Sequence, residues 1–345
     1  MNRDKHFAIV GCGNIGQRHA KHASTFGILD AVVDSDFKKA KALAGKYNCR
    51  ACSSLEELLS QNPLLDVISI CTPNWLHAPQ SIQCLEAGFH VLCEKPMAIH
   101  YSDAQKMVQV SHNTGKKLFI VKQNRYNPPI AFVKQLIENG SLGRLYSFHV
   151  NGFWNRPANY YTNWRGKLKT DGGTLYTQFS HFIDLIMWFF GDAVSASLLS
   201  ANLAHPDIEF EDTGVIQFKM QTGIIGSFSY SVNSFEKNME GSITLLGEKG
   251  TIKIGGQYLN ELEYFRVQGI DKPDLPIGNG ANQYGNYEGS MSNHDKIYEN
   301  LIEALDNDNH PFLQANEGSL LIKFIEDLYK TSENRFKNSY NTENT

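Results

Sequence analysis

The residues most able to do chemistry begin with Gly11-Cys12-Gly13-Asn14-Ile15-Gly16, which follows the apolar run His6 to Val10 and opens a helix-like segment. After a strand, this spacing suits a pyrophosphate. Gly11 allows a tight turn, Gly13 lets the main chain approach the phosphates, and Gly16 lets the helix lie close on the strand. Asn14 and Ile15 then form the helix N-terminus, whose N–H groups favour an anion. Asp34, at the end of the next β-rich run, is placed to accept hydrogen bonds from a ribose diol and to repel a 2′-phosphate. Lys38, Lys39 and Lys41 fall on the following helix and are expected to face solvent, so the cofactor reads as NAD rather than NADP.

Glu94-Lys95-Pro96 ends a later β-rich run, at the carboxyl edge where doubly wound sheets bind ligands. A lysine there, between apolar walls and a cationic nicotinamide, is expected to release its proton more readily than in water. Lys95 thus suits the exchange of a proton with a carbinol oxygen. His181 and Asp184 lie on an apolar segment with Phe182, Leu185, Trp188 and Phe189, and His181 reads either as a core residue or as a second polar group for the reaction. The His181–Asp184 pair lacks a third partner at ligand spacing, and Cys49-Arg50-Ala51-Cys52 lacks a second pair at zinc-ribbon distance. No metal is expected.

These groups need elements to hold them. Runs at Phe7–Val10, Leu29–Val33, 49–52, 67–71, His90–Cys93 and 118–121 alternate with helical segments, the rhythm of a parallel sheet with helical crossovers. Ser53 with Glu56 reads as a capping box before the helix Leu55–Ser60. The fold expected is an α/β Rossmann domain over 1–126, then an α+β domain with a mainly antiparallel sheet over 127–331 and a polar tail over 332–345. In the second domain the pattern predicts helices over 130–139 and 174–190, strands near 145–153, 193–203, 214–220, 224–232, 242–246 and 251–254, a loop over 269–290, and two closing helices over 294–306 and 317–330.

Composition excludes several classes. A chain of 345 residues with 41% hydrophobic and 20% charged residues is globular in character, and a net charge of -4 argues against nucleic acid. The longest apolar runs, such as 67–71 and 185–190, fall far short of the roughly 18 to 20 residues of a membrane span. The start Met1-Asn2-Arg3-Asp4-Lys5 has no apolar leader, so a cytoplasmic location is expected. Six cysteines, all within the first 93 residues and mostly on apolar runs, read as buried free thiols.

The glycine turn, Asp34, Cys71-Thr72-Pro73-Asn74-Trp75-Leu76-His77, Glu94-Lys95-Pro96 and the segment with His181 and Asp184 together resemble the Gfo/Idh/MocA family of sugar dehydrogenases over nearly the whole chain. The resemblance implies that Thr72, Pro73, Asn74, His77, Glu94 and Lys95 join the glycine turn and Asp34 around NAD. It also implies that Lys95 and His181 flank the reacting sugar carbon. The family often has Asp or Asn four residues before that histidine, where this chain has Thr177. A hydroxyl is no carboxylate base, so proton transfer falls to Lys95 and His181.

Lys122-Gln123-Asn124-Arg125-Tyr126-Asn127-Pro128 and Tyr160-Tyr161-Thr162-Asn163-Trp164-Arg165-Gly166 resemble the subgroup that oxidises the 3″-hydroxyl of UDP-N-acetylglucosaminuronate for surface polysaccharides. Arg125, Arg156 and Arg165 are suited to bidentate contacts with carboxylate or phosphate, and Tyr160, Tyr161 and Trp164 to covering a sugar or uracil, or else to packing the loop on the sheet. Tyr126 and Gln178 complete the expected substrate set. The alternatives are a dehydrogenase of UDP-N-acetylglucosamine or of a free sugar or cyclitol, a redox-neutral glycoside-cleaving relative, and a non-catalytic dinucleotide-binding regulator. A homodimer or homotetramer is expected through the outer face of the strands over 214–232.

Overall fold

The computed structural model describes residues 5–61, 64–283, 288–307, 309–310 and 315–339, and all their side chains except those of Gln283 and 332–339. The N-terminal rhythm resolves into β1 His6–Val10, α1 Asn14–Phe26, β2 Ile28–Val33, α2 Phe37–Tyr47, β3 Arg50–Cys52, α3 Leu55–Ser60, β4 Val67–Ile70, α4 Asn74–Glu86, β5 His90–Cys93, α5 Tyr101–Thr114 and β6 Leu118–Ile120. All six strands run parallel, in the order β3-β2-β1-β4-β5-β6. Burial explains their unbroken apolar character: β4 is buried at every position, and β1 and β5 at all but the first. The order reverses between β1 and β4, and the crevice outside their carboxyl ends is where such sheets take ligands.

One cap differs from the expectation. Ser54, not Ser53, caps α3, its hydroxyl accepting the Glu57 N–H at 3.1 Å while Glu57 Oε2 accepts the Ser53 N–H at 2.7 Å. The tandem serines and glutamates offer two registers, and burial of Leu55 and Leu58 selects the second.

The remaining elements are α6 Pro128–Glu138, β7 Leu145–Phe153, α7 Leu168–Asp171, α8 Thr174–Thr177, α9 Ser180–Phe190, β8 Ala193–Ala201, β9 Thr213–Met220, β10 Ile225–Ser231, β11 Glu240–Gly247, β12 Gly250–Gly255, β13 Glu261–Val267, β14 Ala281–Gln283, β15 Glu288–Met291, α10 His294–Leu305 and α11 Ala315–Ser339. A seven-stranded sheet takes the order β13-β12-β11-β7-β10-β9-β8. It is mainly antiparallel. Because β7 inserts between β10 and β11, however, its pairing with β10 is parallel, which a simple meander does not contain. The strand β13 and the ribbon β14–β15 fall where the sequence reading gave no strand and a loop. The helix expected over 174–190 is two helices, broken at Gln178 and Phe179, where both N–H groups turn back to the Thr174 carbonyl. The last helix continues past the expected end at 330, to Ser339.

On the inner face of this sheet, Phe148, Val150, Ile216, Phe218, Phe228, Tyr230, Ile243 and Leu245 are buried. The apolar side chains of α9 cover them, with Phe190 stacked on Phe148 at 4.3 Å and Phe182 on Phe228 at 5.4 Å. The chain divides into two compact units. The first takes the chain through Lys122, 169–172 and 294–323; the second takes 123–168, 173–293 and the chain from Phe324. The helix α10 therefore groups with the parallel sheet rather than with the second unit. The reason is packing: the Tyr298 ring meets Phe7 of β1 edge-on at 5.6 Å, and His294 meets His19 of α1 at 5.1 Å.

Candidate active site

In the first unit the expected cofactor residues gather at the carboxyl ends of β1, β2, β4 and β5. Gly11 has φ +97°, and a Cβ on it would lie 2.7 Å from the Cys71 carbonyl oxygen, so the turns after β1 and β4 touch only because Gly11 lacks a side chain. A Cβ on Gly16 would lie 1.7 Å from the Gly11 oxygen, whereas one on Gly13 would meet no heavy atom within 4 Å among the described residues. Gly13 is also the α1 N-cap and offers no capping side chain. The cradle therefore fits a pyrophosphate: main chain faces open space at Gly13, and Asn14 and Ile15 begin the helix behind it.

Asp34 serves this cradle twice. Its Oδ2 accepts the Cys12 N–H at 2.8 Å and its Oδ1 the Asp36 N–H at 2.8 Å, fixing the carboxylate at the edge of β2. Thr72 donates to Gln80 Oε1 at 2.6 Å, and Pro73 caps α4. Asn74, expected beside the cofactor, is buried and donates to the Asp171 carbonyl at 2.8 Å.

His77 and Glu94 hold the main chain on either side of Lys95. His77 is buried, with Nδ1 at 2.6 Å from the Pro96 carbonyl oxygen and Nε2 at 2.7 Å from that of Thr72. Burial lowers its pKa, against the pull of the two carbonyls. Glu94 is buried too. Its Oε1 lies 2.9 Å from His19 Nε2 and 3.2 Å from His294 Nε2, and its Oε2 accepts the Lys95 N–H at 3.0 Å. Burial opposes that charge, yet the hydrogen bonds from the two histidines hold the carboxyl well below the usual range. Neither His19 nor His294 was singled out by the sequence reading, since nothing local marks a histidine inside α1 or at the start of α10 as a partner of a strand end.

In the second unit His181 and Asp184 sit on the buried side of α9, and Arg125 belongs to a short 3-10 turn, Gln123–Tyr126. Asn127 and Asn293 brace that turn: Asn293 donates to the Gln123 carbonyl at 3.1 Å and to Asn127 Oδ1 at 2.7 Å. The structure separates the three candidate arginines. Arg125 grips Asp184 with two bonds, Nε to Oδ2 at 2.8 Å and Nη2 to Oδ1 at 2.7 Å. Arg156 is buried, donating to Gln178 Oε1 at 2.6 Å, the Asn155 carbonyl at 2.6 Å and Asn238 Oδ1 at 3.2 Å. Gln178 in turn donates to the Tyr160 hydroxyl at 2.7 Å. Arg165 differs from both. Its guanidinium lies 4.6 Å from the Tyr160 ring and 5.0 Å from the Trp164 ring, and its buried Nε has no hydrogen-bond partner among the described residues. Tyr161 meets Tyr160 edge-on at 5.0 Å and His205 at 5.0 Å, so it packs the loop.

Two family models match this arrangement: the oxidoreductase family, NAD-binding Rossmann fold, over residues 5–122, and its C-terminal alpha/beta domain over 134–337. The chain belongs to the Gfo/Idh/MocA oxidoreductases. As a member of that family it is an NAD-dependent oxidoreductase. It is similar to the WlbA dehydrogenase of Bordetella pertussis, solved with NADH and UDP-GlcNAcA, at 34% identity and a TM-score of 0.85, over 96% of this chain and 97% of that one. The WlbA dehydrogenase of Chromobacterium violaceum, solved with the same two molecules, is 33% identical with a TM-score of 0.86, over 97% and 95% of the two chains. Among curated relatives, the 4-carboxy-2-hydroxymuconate-6-semialdehyde dehydrogenase of a Sphingobium strain is 27% identical over 66% of this chain and 72% of that protein. Family membership alone thus leaves the substrate open.

Among the described residues no helix is long and apolar enough to cross a membrane. All six cysteines are free, and burial raises the thiols of the Cys49 and Cys52 pair, that of Cys49 to about 11. A raised thiol is a poor nucleophile and a poor metal ligand at neutral pH.

Proposed function

We propose that the protein oxidises the 3-hydroxyl of a UDP-N-acetyl sugar, with UDP-N-acetylglucosaminuronate as the substrate, in the synthesis of a surface polysaccharide. The observation that carries this reading is the likeness, over almost the whole chain, to two dehydrogenases solved with NADH and UDP-GlcNAcA. NAD supplies the acceptor for the hydride leaving C3. Lys95 takes the hydroxyl proton as the carbon–oxygen double bond forms, and His181 orients that hydroxyl. Gly11, Gly13, Asn14, Ile15, Gly16 and Asp34 bind NAD, with Thr72 and Pro73 beside them. Trp164 offers an aromatic face to the sugar or uracil, and the buried Tyr160 supports Arg165 from beneath.

Arg165 is our assignment for the anionic group of the substrate. Arg125 is already neutralised by Asp184, and the guanidinium of Arg156 is hydrogen-bonded inside the unit. Arg165, held between two rings with an unused Nε, keeps its donors for a ligand.

The test compares two substrates. Lys95→Met should lower turnover by about 10² to 10⁴, the usual weight of an acid–base group. Arg165→Met should penalise UDP-N-acetylglucosaminuronate by roughly 2 to 5 kcal/mol in kcat/KM if it meets the C6 carboxylate, and UDP-N-acetylglucosamine much less. Equal losses on the two sugars would place Arg165 at the pyrophosphate. Best turnover on inositol or glucose, followed as NADH formation, would remove the nucleotide-sugar reading, and near wild-type turnover by Lys95→Met would remove the role of Lys95.

A further inference from the structure

Next to Lys95 the first unit holds a group of buried titratable side chains that the reaction above does not use. His19, His294 and Tyr298 are wholly buried, His77 and Glu94 nearly so. They come from α1, α10, α4 and the end of β5, which share no local sequence signal. Their contacts converge on one tripeptide. His19 and His294 point Nε2 at the same oxygen of Glu94, the other oxygen of Glu94 accepts the Lys95 N–H, and His77 bridges the Pro96 and Thr72 carbonyls.

The protons follow from the partners. A carboxylate only accepts, so both Nε2 atoms carry hydrogen. Among the described residues the buried His294 Nδ1 has no hydrogen-bond partner, so it stays a bare lone pair and His294 is neutral. His19 Nδ1 faces the Tyr298 hydroxyl at 3.1 Å, and that hydroxyl faces Ser69 Oγ at 3.1 Å. This hydroxyl pair is able to accept a hydrogen bond from His19 Nδ1 or to donate one to it.

We propose that His19, His294 and His77 are positioning residues for Lys95: they clamp Glu94 and Pro96 on either side of it, and His19 and His77 tie that clamp to α1 and to the Thr72 turn, the two elements that bind the cofactor. The proposal rests on the role given to Lys95 above. The same three atoms of His19, Glu94 and His294 lie within 4.8 Å of one another, a spacing that a metal ion would also accept. Hydrogen bonds of 2.9 and 3.2 Å account for it without one.

The experiment uses full-length protein, saturated with NAD for the acylation measurements. It compares His19→Leu and His294→Leu with His19→Gln and His294→Gln, whose amide N–H replaces Nε2–H. Two readouts are taken: steady-state kinetics, and the pH midpoint of Lys95 acylation followed by peptide mass spectrometry. The leucine variants should lose about 10²-fold in kcat, as for a misplaced reacting group, with little change in the KM for NAD. Their Lys95 acylation midpoint should move, and the glutamine variants should restore both. A buried His→Leu change that fails to fold leaves the glutamine variants and His77→Gln to carry the same comparison. An unchanged Lys95 acylation profile in folded variants would overturn the proposal, as would one tightly bound metal per chain in the purified protein. The acylation readout does not depend on Lys95 being the base, so retained turnover in Lys95→Met would count against the function and not against the clamp.

Discussion

Asp34 shows how one side chain fixes two stretches of main chain. Its two oxygens hold the N–H groups of Cys12 and Asp36, so it shapes the glycine turn before any ribose arrives. Each oxygen has a second lone pair, which under the proposed function meets a ribose hydroxyl. Asp34→Ala should therefore weaken NAD by about 1.5 to 3 kcal/mol, the range for a hydrogen bond to a charged group, and should narrow the gap to NADP because the repulsion of a 2′-phosphate goes as well. Fluorescence titration with the two cofactors checks this, and equal affinities in the unmutated protein would show that Asp34 does not select NAD. At this scale the glycine turn and Asp34 were legible, since a main-chain requirement leaves few residue types to choose from. The fates of Arg125 and Arg156 were not. An arginine in a loop carries no mark of the side chain it pairs with, here Asp184 for Arg125 and Gln178 for Arg156.

Elements were read well wherever periodicity carried them. The six parallel strands fall within a residue or two of their expected places, because strands covered on both faces are unbroken apolar runs. The sequence Glu261-Leu262-Glu263-Tyr264-Phe265-Arg266-Val267 alternates only in part, and β13 was missed. The seam between α1 and α10 was invisible for another reason: it depends on His22 stacking near Tyr298 and His294, contacts across most of the chain. This seam has a pH signature. Burial, the largest cause, lowers the pKa of His22 from 6.5 to about 4. Between those values the unfolded chain binds a proton that the folded one refuses, so stability is intact above about pH 6.5 and is lost as the pH falls toward 4. His90, also lowered to about 4, acts in the same direction. Thermal unfolding should thus show Tm falling across this window, and His22→Gln should make the fall shallower. A Tm that stays level from pH 6.5 to 4 would contradict the burial of these rings.

At the scale of the molecule, the second sheet presents its outer face without a covering helix among the described residues. The alternation expected from sequence holds: Ile216, Phe218 and Met220 turn inward, while Val215, Gln217 and Lys219 are exposed. Leu199 and Val215 are register partners on neighbouring strands, 66% and 39% exposed, and Ile225 is 59% exposed. Around them stand Ser227, Ser229, Gln217 and Ser147, short or uncharged side chains, with the charged Lys219 as a register partner opposite Ile225. A sheet laid on its own copy buries these apolar groups and closes under two-fold symmetry, so the face suits a dimer, or a tetramer if a second interface exists. Light scattering at micromolar concentration should give a mass of two or four chains. Replacing Leu199 and Val215 together by Lys should lower that mass to one chain while NAD still binds, because both positions lie outside the cofactor turns. A single-chain mass for the unmutated protein would refute the interface, whereas an oligomer insensitive to the double change would move it to another surface.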